Sequence, residues 1–291
     1  MTLLEFLQLH YFCDAAESQN FSETARRFMV PVSNISQTIG RLERELGVPL
    51  FDRQKNRVSL NEAGKLYYRE VKRAMRILDD AGTALSDRSP GVSGSIRMFI
   101  GCNRNRFPDL IRTYQSLYPE VSFRLEHRGV SDFSDFDLIV TDQQLPENSY
   151  EKKLLVHEKL LLGVSAGSVY AEKEMLSIRE LRTAPFITLD CNSSIYRFTC
   201  RVCEEAGFSP NIAIECDDPT IMRRYIALGI GIGFVPSVSW KGTLSEQIVC
   251  RDIGDYYRDT YLYYRRDRYL KKCTRLLIDL MFSDGASPDG F

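Results

Sequence analysis

Residues 21–47, FSETARRFMVPVSNISQTIGRLERELG, contain the pattern from which the fold of the N-terminal part of the chain is predicted. Ser22 is a residue type that often caps helices, so we expect a short helix from there to about Met29. A second helix is predicted over residues 33–43, and Gly47 is suited to end it. Its apolar side chains recur at helical spacing: Ile35, Ile39, Leu42 and Leu46. Two short helices joined by a tight turn predict a helix-turn-helix.

The opposite face of the second helix is polar and is predicted to read DNA. Asn and Gln side chains can pair with adenine through two hydrogen bonds, and Ser can donate to or accept from base edges. We therefore expect contacts to bases from Ser33, Asn34 and Gln37. Contacts to the DNA backbone are expected from Ser22, Ser36 and Arg41.

A small hairpin with a cationic tip is predicted next. Residues 50–53 and 57–60 are suited to two short strands, and Gln54-Lys55-Asn56 is suited to the turn between them. Such a hairpin beside a recognition helix is a wing, and we expect contacts to phosphates or the minor groove from Arg53, Lys55 and Arg57. Asn61 can cap a long helix that runs to about Leu85.

Residues 53–76 form a basic segment inside a neutral chain. This segment has eight Lys and Arg against two Glu, whereas the 291-residue chain has 38 Lys and Arg against 39 Asp and Glu. Residues 1–58 carry seven charges of each sign. The affinity for DNA is therefore expected to depend on a few placed cations and on dimerisation rather than on bulk charge.

Two short sequences connect these features with a known family. Glu45-Leu46-Gly47-Val48-Pro49-Leu50-Phe51-Asp52-Arg53, followed by Leu60-Asn61-Glu62-Ala63-Gly64, resembles the winged helix-turn-helix of LysR-type transcriptional regulators. The resemblance implies a DNA-binding domain over residues 1–60, a dimerisation helix and hinge over 61–92, and a homodimer or homotetramer on double-stranded operator DNA. The chain departs from the family pattern at Pro31-Val32-Ser33-Asn34 and at Gln37, so the operator sequence does not follow from the family.

The pattern changes after a turn-rich segment, residues 87–94. Short apolar runs then alternate with helical stretches, at residues 96–101, 121–126, 137–140, 160–164, 186–189 and 232–235. Strands that alternate with helices predict an open α/β sheet. The family resemblance implies that residues 93–291 form an effector-binding domain similar to periplasmic solute-binding proteins. One subdomain would span 93–161 and 266–291, and the other 162–265.

Three loops are candidates for binding the effector. Open α/β sheets bind ligands beyond the carboxyl ends of their strands and near helix N-termini. Residues 102–105, 127–128 and 190–194 lie at such positions. We expect a small ligand there, an anion being one candidate, bound by Cys102, Asn103, Arg128, Asn192 and Ser193. Ordinary caps and turns would also explain Asn and Ser at these positions.

Three further motifs have simpler explanations than the chemistry that they resemble. Gly163-Val164-Ser165-Ala166-Gly167 has the spacing of a hydrolase nucleophile elbow, but no histidine follows the serine in the chain. Gly229-Ile230-Gly231-Ile232-Gly233 lacks the spacing of a dinucleotide-binding loop, and tight packing is the expected reason for its glycines. Cys200 and Cys203 have redox or zinc spacing, but they fall inside a predicted helix without a second pair. We expect neither an enzyme nor a bound cofactor or metal.

Two other functions remain open from the sequence. Some LysR-type regulators sense peroxide through two cysteines. When Cys203 is aligned with the second of them, Ser194 stands at the position of the first. Cys191 and Cys200 are nevertheless separated by the same number of residues as that pair. Alternatively, the N-terminal helices serve only to oligomerise a solute-binding or enzymatic α/β protein.

The composition indicates a globular chain. Of its residues, 44% are hydrophobic and 26% are charged. No apolar segment reaches the ~20 residues of a membrane-spanning helix. The eight cysteines occur without a secretion signal, so we expect a cytoplasmic protein with reduced thiols.

Overall fold

The computed structural model describes residues 6–54, 57–128 and 132–283. Two compact units divide the chain, Met1–Ser89 and Pro90–Phe291. The first unit is helical with one hairpin. Its elements are α1 (Phe6–Ser18), α2 (Phe21–Arg27), α3 (Val32–Leu46), β1 (Phe51–Gln54), β2 (Arg57–Leu60) and α4 (Glu62–Ser86).

The cap of α2 is Asn20, and the prediction that Ser22 caps this helix was wrong. Asn20 Oδ1 accepts the backbone N–H groups of Ser22 at 3.0 Å and Glu23 at 3.2 Å. Asn is as good a cap as Ser, and its longer side chain serves two of the free N–H groups of the first turn. Ser22 therefore lies inside the helix, with its side chain exposed.

The helix-turn-helix is formed as predicted. On α3, Ile35, Ile39 and Leu42 are fully buried in the core of the first unit. Leu46 packs against the same core from a partly buried position. The helix ends at Gly47, which has the left-handed φ of +71° expected of a glycine stop.

The hairpin and the long helix are held together by a close backbone approach. β1 and β2 pair antiparallel, with Phe51 opposite Leu60. Asn61 caps α4 as predicted, since its Oδ1 accepts the Gly64 N–H at 2.8 Å. A Cβ on Gly64 would lie 2.0 Å from the carbonyl oxygen of Leu50, so no larger residue fits there without a shift of the backbone.

The helix α4 is anchored to α1 on one side and exposes apolar side chains elsewhere. Glu17 accepts hydrogen bonds from Tyr68 Oη at 2.8 Å and Lys72 Nζ at 2.6 Å. Four large apolar side chains of α4 are more than half exposed: Leu66, Ile77, Leu78 and Leu85. An isolated subunit therefore leaves apolar surface of this helix in water.

The second unit contains the α/β sheet that the sequence predicts. All six predicted strands are present. In chain order the elements are β3 (Gly94–Ile100), α5 (Phe107–Leu117), β4 (Val121–Glu126), β5 (Leu138–Thr141), β6 (Tyr150–Ser165), β7 (Pro185–Leu189), α6 (Ser194–Glu205), β8 (Asn211–Cys216), α7 (Pro219–Ala227), β9 (Gly233–Pro236), β10 (Ile248–Arg251), β11 (Tyr257–Arg265) and α8 (Lys272–Ser283). Short 3-10 turns lie at Arg104–Arg106, Val169–Glu172 and Ile178–Leu181.

The two largest hydrophobic cores of this unit define two lobes. The first lobe packs around Ile96, Val140, Leu262 and Leu277. The second packs around Leu162, Phe186, Phe198 and Phe234. Within the sheet the strand order is β10-β6-β11-β5-β3-β4, and β9 also pairs with β6.

A single long strand, β6, runs through both lobes. Its first part pairs antiparallel with β11, from Tyr150 opposite Arg265 to Lys159 opposite Tyr257. Its last part pairs with β9 and β10 in the second lobe. The chain returns to the first lobe along β11, where Leu262 is already part of that core.

Candidate nucleic-acid interface and ligand cleft

The outer face of α3 is polar and accessible in the first unit. Ser33, Asn34, Gln37 and Arg41 are exposed, and Ser36 is half-buried. Thr38 Oγ1 lies 3.4 Å from Asn34 Oδ1 along the same helix. The exposed polar face and the buried apolar face are those of a helix that packs on one side and binds on the other.

Of the predicted wing cations, Arg53 is less free than the sequence suggests. Arg53 Nη2 lies 2.7 Å from Glu43 Oε2, and its guanidinium lies 5.6 Å from the ring centre of Phe21. Its side chain is still 45% exposed. Lys55 lies outside the described residues, and Arg57 is described only as the first residue of β2.

Glu43 fixes the start of the wing to the recognition helix. Its Oε1 accepts the backbone N–H groups of Leu50 at 2.8 Å and Phe51 at 3.2 Å, while Oε2 accepts from Arg53. Because Glu43 lies on α3 and Phe51 on β1, this carboxylate sets the distance between helix and wing.

Cys102 and Asn103 follow β3 and point into a buried polar cluster at the end of the first-lobe strands. Asn103 is 4% exposed, and its Nδ2 donates to Thr260 Oγ1 at 2.6 Å. Cys102 Sγ lies 3.5 Å from the same hydroxyl oxygen. Burial, with a smaller contribution from Asp142, raises the pKa of Cys102 to about 12.

The three other predicted effector residues are engaged with the chain itself. Ser193 caps α6 by accepting the Tyr196 N–H at 3.0 Å. Asn192 is exposed in the preceding turn, where its carbonyl oxygen accepts from Arg197 at 2.6 Å. Arg128 forms ion pairs with Asp217 at 2.8 Å and Asp218 at 3.4 Å. An anion that binds Arg128 would therefore compete with two carboxylates of the chain.

A buried ion pair between β6 and β11 forms the centre of the polar cluster. Arg258 Nη2 lies 2.6 Å from Glu158 Oε1, and the Glu158 side chain is completely buried. The backbone N–H groups of Val238 and Ser239 donate to Glu158 Oε2 at 3.0 and 2.8 Å. Burial alone would raise the pKa of Glu158, but Arg258 and Ser239 outweigh it and hold that pKa below its ordinary value.

Asp142 joins this pair to the second lobe. It follows β5, and its Oδ2 accepts the hydroxyl hydrogen of Ser194 at the start of α6. Arg258 Nη1 approaches the same oxygen at 3.5 Å. We call the space bounded by Asn103, Asp142, Thr260 and Ser194 the cleft.

A cavity of about 420 Å³ lies elsewhere, on the second lobe. Its lining includes Leu176, Ile178, Val202, Glu205 and Tyr256. No predicted effector residue lines it. None of the four residues that bound the cleft lines this cavity either.

Family models match both units. The model of the bacterial regulatory helix-turn-helix protein of the lysR family covers residues 6–65, and the LysR substrate binding domain covers residues 90–284. The chain belongs to the LysR family of transcriptional regulators. It is a DNA-binding regulator with an effector-binding domain, and not an enzyme.

Relatives of this LysR-family chain cover most of its length. The HTH-type transcriptional regulator YybE of Bacillus subtilis (strain 168) is 30% identical over 81% of this chain and 83% of its own. The regulator AlsR of the same organism is 28% identical over 82% of each chain.

Solved structures show the same fold. A full-length OxyR variant from Pseudomonas aeruginosa has a TM-score of 0.73 at 19% identity and covers 97% of this chain and 95% of its own. The LysR-family regulator CbnR has a TM-score of 0.67 at 19% identity, and the match covers 98% of this chain and 100% of the CbnR chain. A structure of full-length CbnR with its target DNA has a TM-score of 0.65 at 20% identity, and the match covers 96% of this chain and 99% of that one.

The motifs that resemble other chemistry are explained by packing. Ser165 lies at the end of β6, and its Oγ donates to the carbonyl oxygen of Ala227 at 3.3 Å. A Cβ on Gly233 would lie 2.7 Å from the carbonyl oxygen of Ile187, so close strand packing requires glycine. Cys200 and Cys203 lie inside α6 as predicted, and burial raises the pKa of Cys203 to about 12.

Within residues 6–54, 57–128 and 132–283, no helix is long and apolar enough to cross a membrane.

Sequence reasoning missed the residues at the centre of the cleft. Asp142 follows a strand that was predicted, so the rule about carboxyl ends of strands could have found it. Thr260 and Arg258 lie on β11, which was not predicted. Its run of Tyr and Thr has high strand propensity and was the available signal.

Proposed function

We propose that the chain controls transcription in the cytoplasm by inserting α3 into the major groove of operator DNA. Ser33, Asn34 and Gln37 would contact base edges. Ser22, Ser36, Arg41 and the wing cations Arg53, Lys55 and Arg57 would contact the phosphate backbone or the minor groove.

The observation that supports this assignment best is the division of α3 into two faces. Three apolar residues of the helix are fully buried, while Ser33, Gln37 and Arg41 on the other side are exposed. Arg53 is tied to this helix through Glu43. The reading residues and a phosphate-binding cation are thereby fixed on one rigid support.

Dimerisation would use α4, and a homotetramer would form from two such dimers. The exposed Leu66, Ile77, Leu78 and Leu85 supply apolar surface that a second copy can bury. Two subunits would present two copies of α3 to two half-sites. Residues 1–60, 61–92 and 93–291 would then serve DNA binding, dimerisation with hinge, and effector binding.

A small molecule bound in the cleft would alter DNA binding through a shift between two arrangements of the lobes. Asp142 of the first lobe bonds Ser194 of the second, and Arg128 pairs across the lobes with Asp217 and Asp218. A ligand that breaks or replaces these bridges binds one arrangement better, which is the requirement for coupling. The predicted effector residues would be Cys102, Asn103, Arg128, Asn192 and Ser193, of which Asn103 is the most buried.

The test is a fluorescence-anisotropy titration of full-length protein against DNA from upstream of its own gene. Gln37→Ala should reduce the preference for the specific site over random DNA, because a base contact typically contributes about 1–3 kcal/mol of discrimination. Arg41→Gln should weaken binding to both DNAs and lower the slope of log affinity against log salt by about one. Unchanged binding by both variants would contradict the assignment of the reading face, and the absence of any salt-sensitive complex would contradict the proposed function.

A further inference from the structure

We propose that the cleft ligand brings a hydrogen-bond donor, a protonated amine being the best fit, which Asn103 and Asp142 accept. The inference rests on the proposed function, because it assigns the chemical class of the ligand in that same cleft. It replaces the anion that the sequence suggested as one candidate.

Asn103 offers a buried acceptor. The residue is 4% exposed, and its Nδ2 donates a hydrogen bond to Thr260 Oγ1 at 2.6 Å. Its Oδ1 is buried and accepts no hydrogen bond from the described residues. Buried acceptors are nearly always satisfied because leaving one unpaired is costly. A donor delivered by a ligand would remove that cost.

Asp142 lies beside Asn103 because their strands end together. β3 and β5 are parallel neighbours, and Ile100 is opposite Val140. The Gly101 N–H donates to the Val140 carbonyl oxygen at 2.9 Å, which continues the pairing past the end of β3. Asn103 and Asp142 follow directly, so both face the same edge of the sheet.

Asp142 also has acceptor capacity to spare. Its side chain is 11% exposed, and both of its contacts, from Ser194 Oγ and Arg258 Nη1, use Oδ2. Its second oxygen, Oδ1, accepts nothing from the described residues. Glu158 differs, because both of its oxygens accept hydrogen bonds from backbone or side-chain donors. Asp142 is therefore the carboxylate at which a further donor can bind.

The nearby cations are already engaged, so the cleft offers little to an anion. Arg258 is bound to Glu158, and Arg128 to Asp217 and Asp218. Arg104 donates to the His127 carbonyl oxygen at 3.0 Å, and Arg106 to the Leu155 carbonyl oxygen at 3.3 Å. A carboxylate ligand that took the guanidinium of Arg258 or Arg128 would have to break an existing ion pair. An ammonium group would pair with Asp142 without breaking any ion pair.

The experiment compares matched ligands on the full-length protein. 1,4-Diaminobutane, 1,4-butanediol and succinate share one carbon chain and differ in their end groups. They would be tested by thermal shift together with a panel of amine-bearing and carboxylate-bearing metabolites, since a ligand that binds the native state raises Tm. We expect stabilising compounds among the amines. Stabilisation by carboxylates alone, or by no amine in the panel, would overturn the inference.

Variants then locate the binding site of the amines by titration calorimetry. Asp142→Asn should reduce the affinity by about tenfold or more. Asn103→Asp should retain it, because an aspartate accepts the same hydrogen bond and adds a negative charge, whereas Asn103→Leu should lose it. Glu246→Gln removes an exposed charge of the same unit and should have no effect. If Asp142→Asn and Asn103→Leu both bind the amine with the affinity of the parent protein, the ligand binds elsewhere.

Failure of the ligand class and failure of the proposed function give different results. DNA titrations on the same preparations report the second independently of the first. A protein that binds its upstream DNA but is stabilised only by carboxylates refutes the amine alone. A protein that binds amines through Asp142 but forms no salt-sensitive complex with DNA refutes the proposed function alone.

Discussion

Arg258 and Glu158 are register partners across β11 and β6, and their side chains meet at 2.6 Å in the interior of the sheet. The Glu158 side chain is fully buried and that of Arg258 is 10% exposed. These two strands connect the lobes, so the ion pair lies where relative motion of the lobes would be concentrated. Its other partner, Ser239, follows β9 and binds both members of the pair.

Glu158→Gln should strongly destabilise the second unit. The substitution leaves the Arg258 guanidinium buried without its counter-charge, and breaking a buried pair from one side typically costs about 3–5 kcal/mol. The free energy of unfolding from urea titrations measures the loss. The double variant Glu158→Leu with Arg258→Leu should lose less free energy of unfolding than the sum of the losses in the two single variants. A loss equal to that sum would contradict the coupling between the two residues.

The same carboxylate should make stability depend on pH. The pKa of Glu158 is depressed in the folded state, so the pair's contribution is present above the pKa of an unfolded Glu, about 4.3. It is lost as the pH falls through the folded-state pKa, because the unfolded chain then binds more protons. Urea unfolding between about pH 3 and pH 7 should show a steeper acid loss in the parent than in Glu158→Gln. Parallel curves would show that Glu158 is not responsible.

Glu43→Gln should loosen the wing from the recognition helix. The parent carboxylate accepts from Leu50 N–H, Phe51 N–H and Arg53, and charge-assisted bonds of this kind contribute about 1.5–3 kcal/mol each at most. We expect a loss of about 1–2 kcal/mol in the free energy of unfolding, since the amide oxygen retains part of the bonding. The exposed Glu45→Gln on the same helix is the matched control and should be neutral. Equal stability of the two variants would show that the wing is held by other contacts.

Two glycines of α4 should respond to alanine in opposite directions. A Cβ on Gly64 would meet the Leu50 carbonyl oxygen at 2.0 Å, whereas a Cβ on Gly82 meets nothing within 4 Å. Gly64→Ala should cost about 2 kcal/mol or more through forced backbone movement. Gly82→Ala should stabilise by up to about 1 kcal/mol through helix propensity. Thermal unfolding distinguishes them, and a neutral Gly64→Ala would contradict the close approach.

The thiols should differ sharply in reactivity. Burial raises the pKa of Cys13, Cys102 and Cys203 to about 12, so these groups remain protonated at neutral pH. Cys191 is exposed. Brief treatment of the folded protein with iodoacetamide should label Cys191 first and leave the three thiols of raised pKa unmodified until denaturant is added. Early labelling of Cys203 would instead support a redox role for the Cys200-Cys203 pair.

The parts of the fold that the sequence predicted are those in which local pattern and tertiary packing agree. On α3, the spacing of Ile35, Ile39 and Leu42 determines the buried face, and Gly47 ends the helix through its own backbone preference. The first part of β6 was missed for the opposite reason. Residues 150–159 contain exposed charges at Lys152 and Lys153, and only pairing with β11 makes this segment a strand.

The candidate site was less predictable because it depends on partners distant in the chain. Asn103 was found from its place after a strand, but its contact with Thr260 spans 157 residues. Arg128 has the chemistry to bind an anion, yet the sequence does not indicate that Asp217 and Asp218 would lie next to it. Residue type and position at a strand end thus identify the neighbourhood, whereas the fold decides which groups remain available.

The continuity of β6 has a consequence for how the second unit unfolds. One strand supplies backbone hydrogen bonds to β11 in one lobe and to β9 and β10 in the other, so neither lobe can lose its sheet without exposing the broken edge of its neighbour. Two lobes with separate main cores would ordinarily allow two separate melting transitions. Here the shared strand couples them, and residues 94–283 are expected to unfold as one cooperative block.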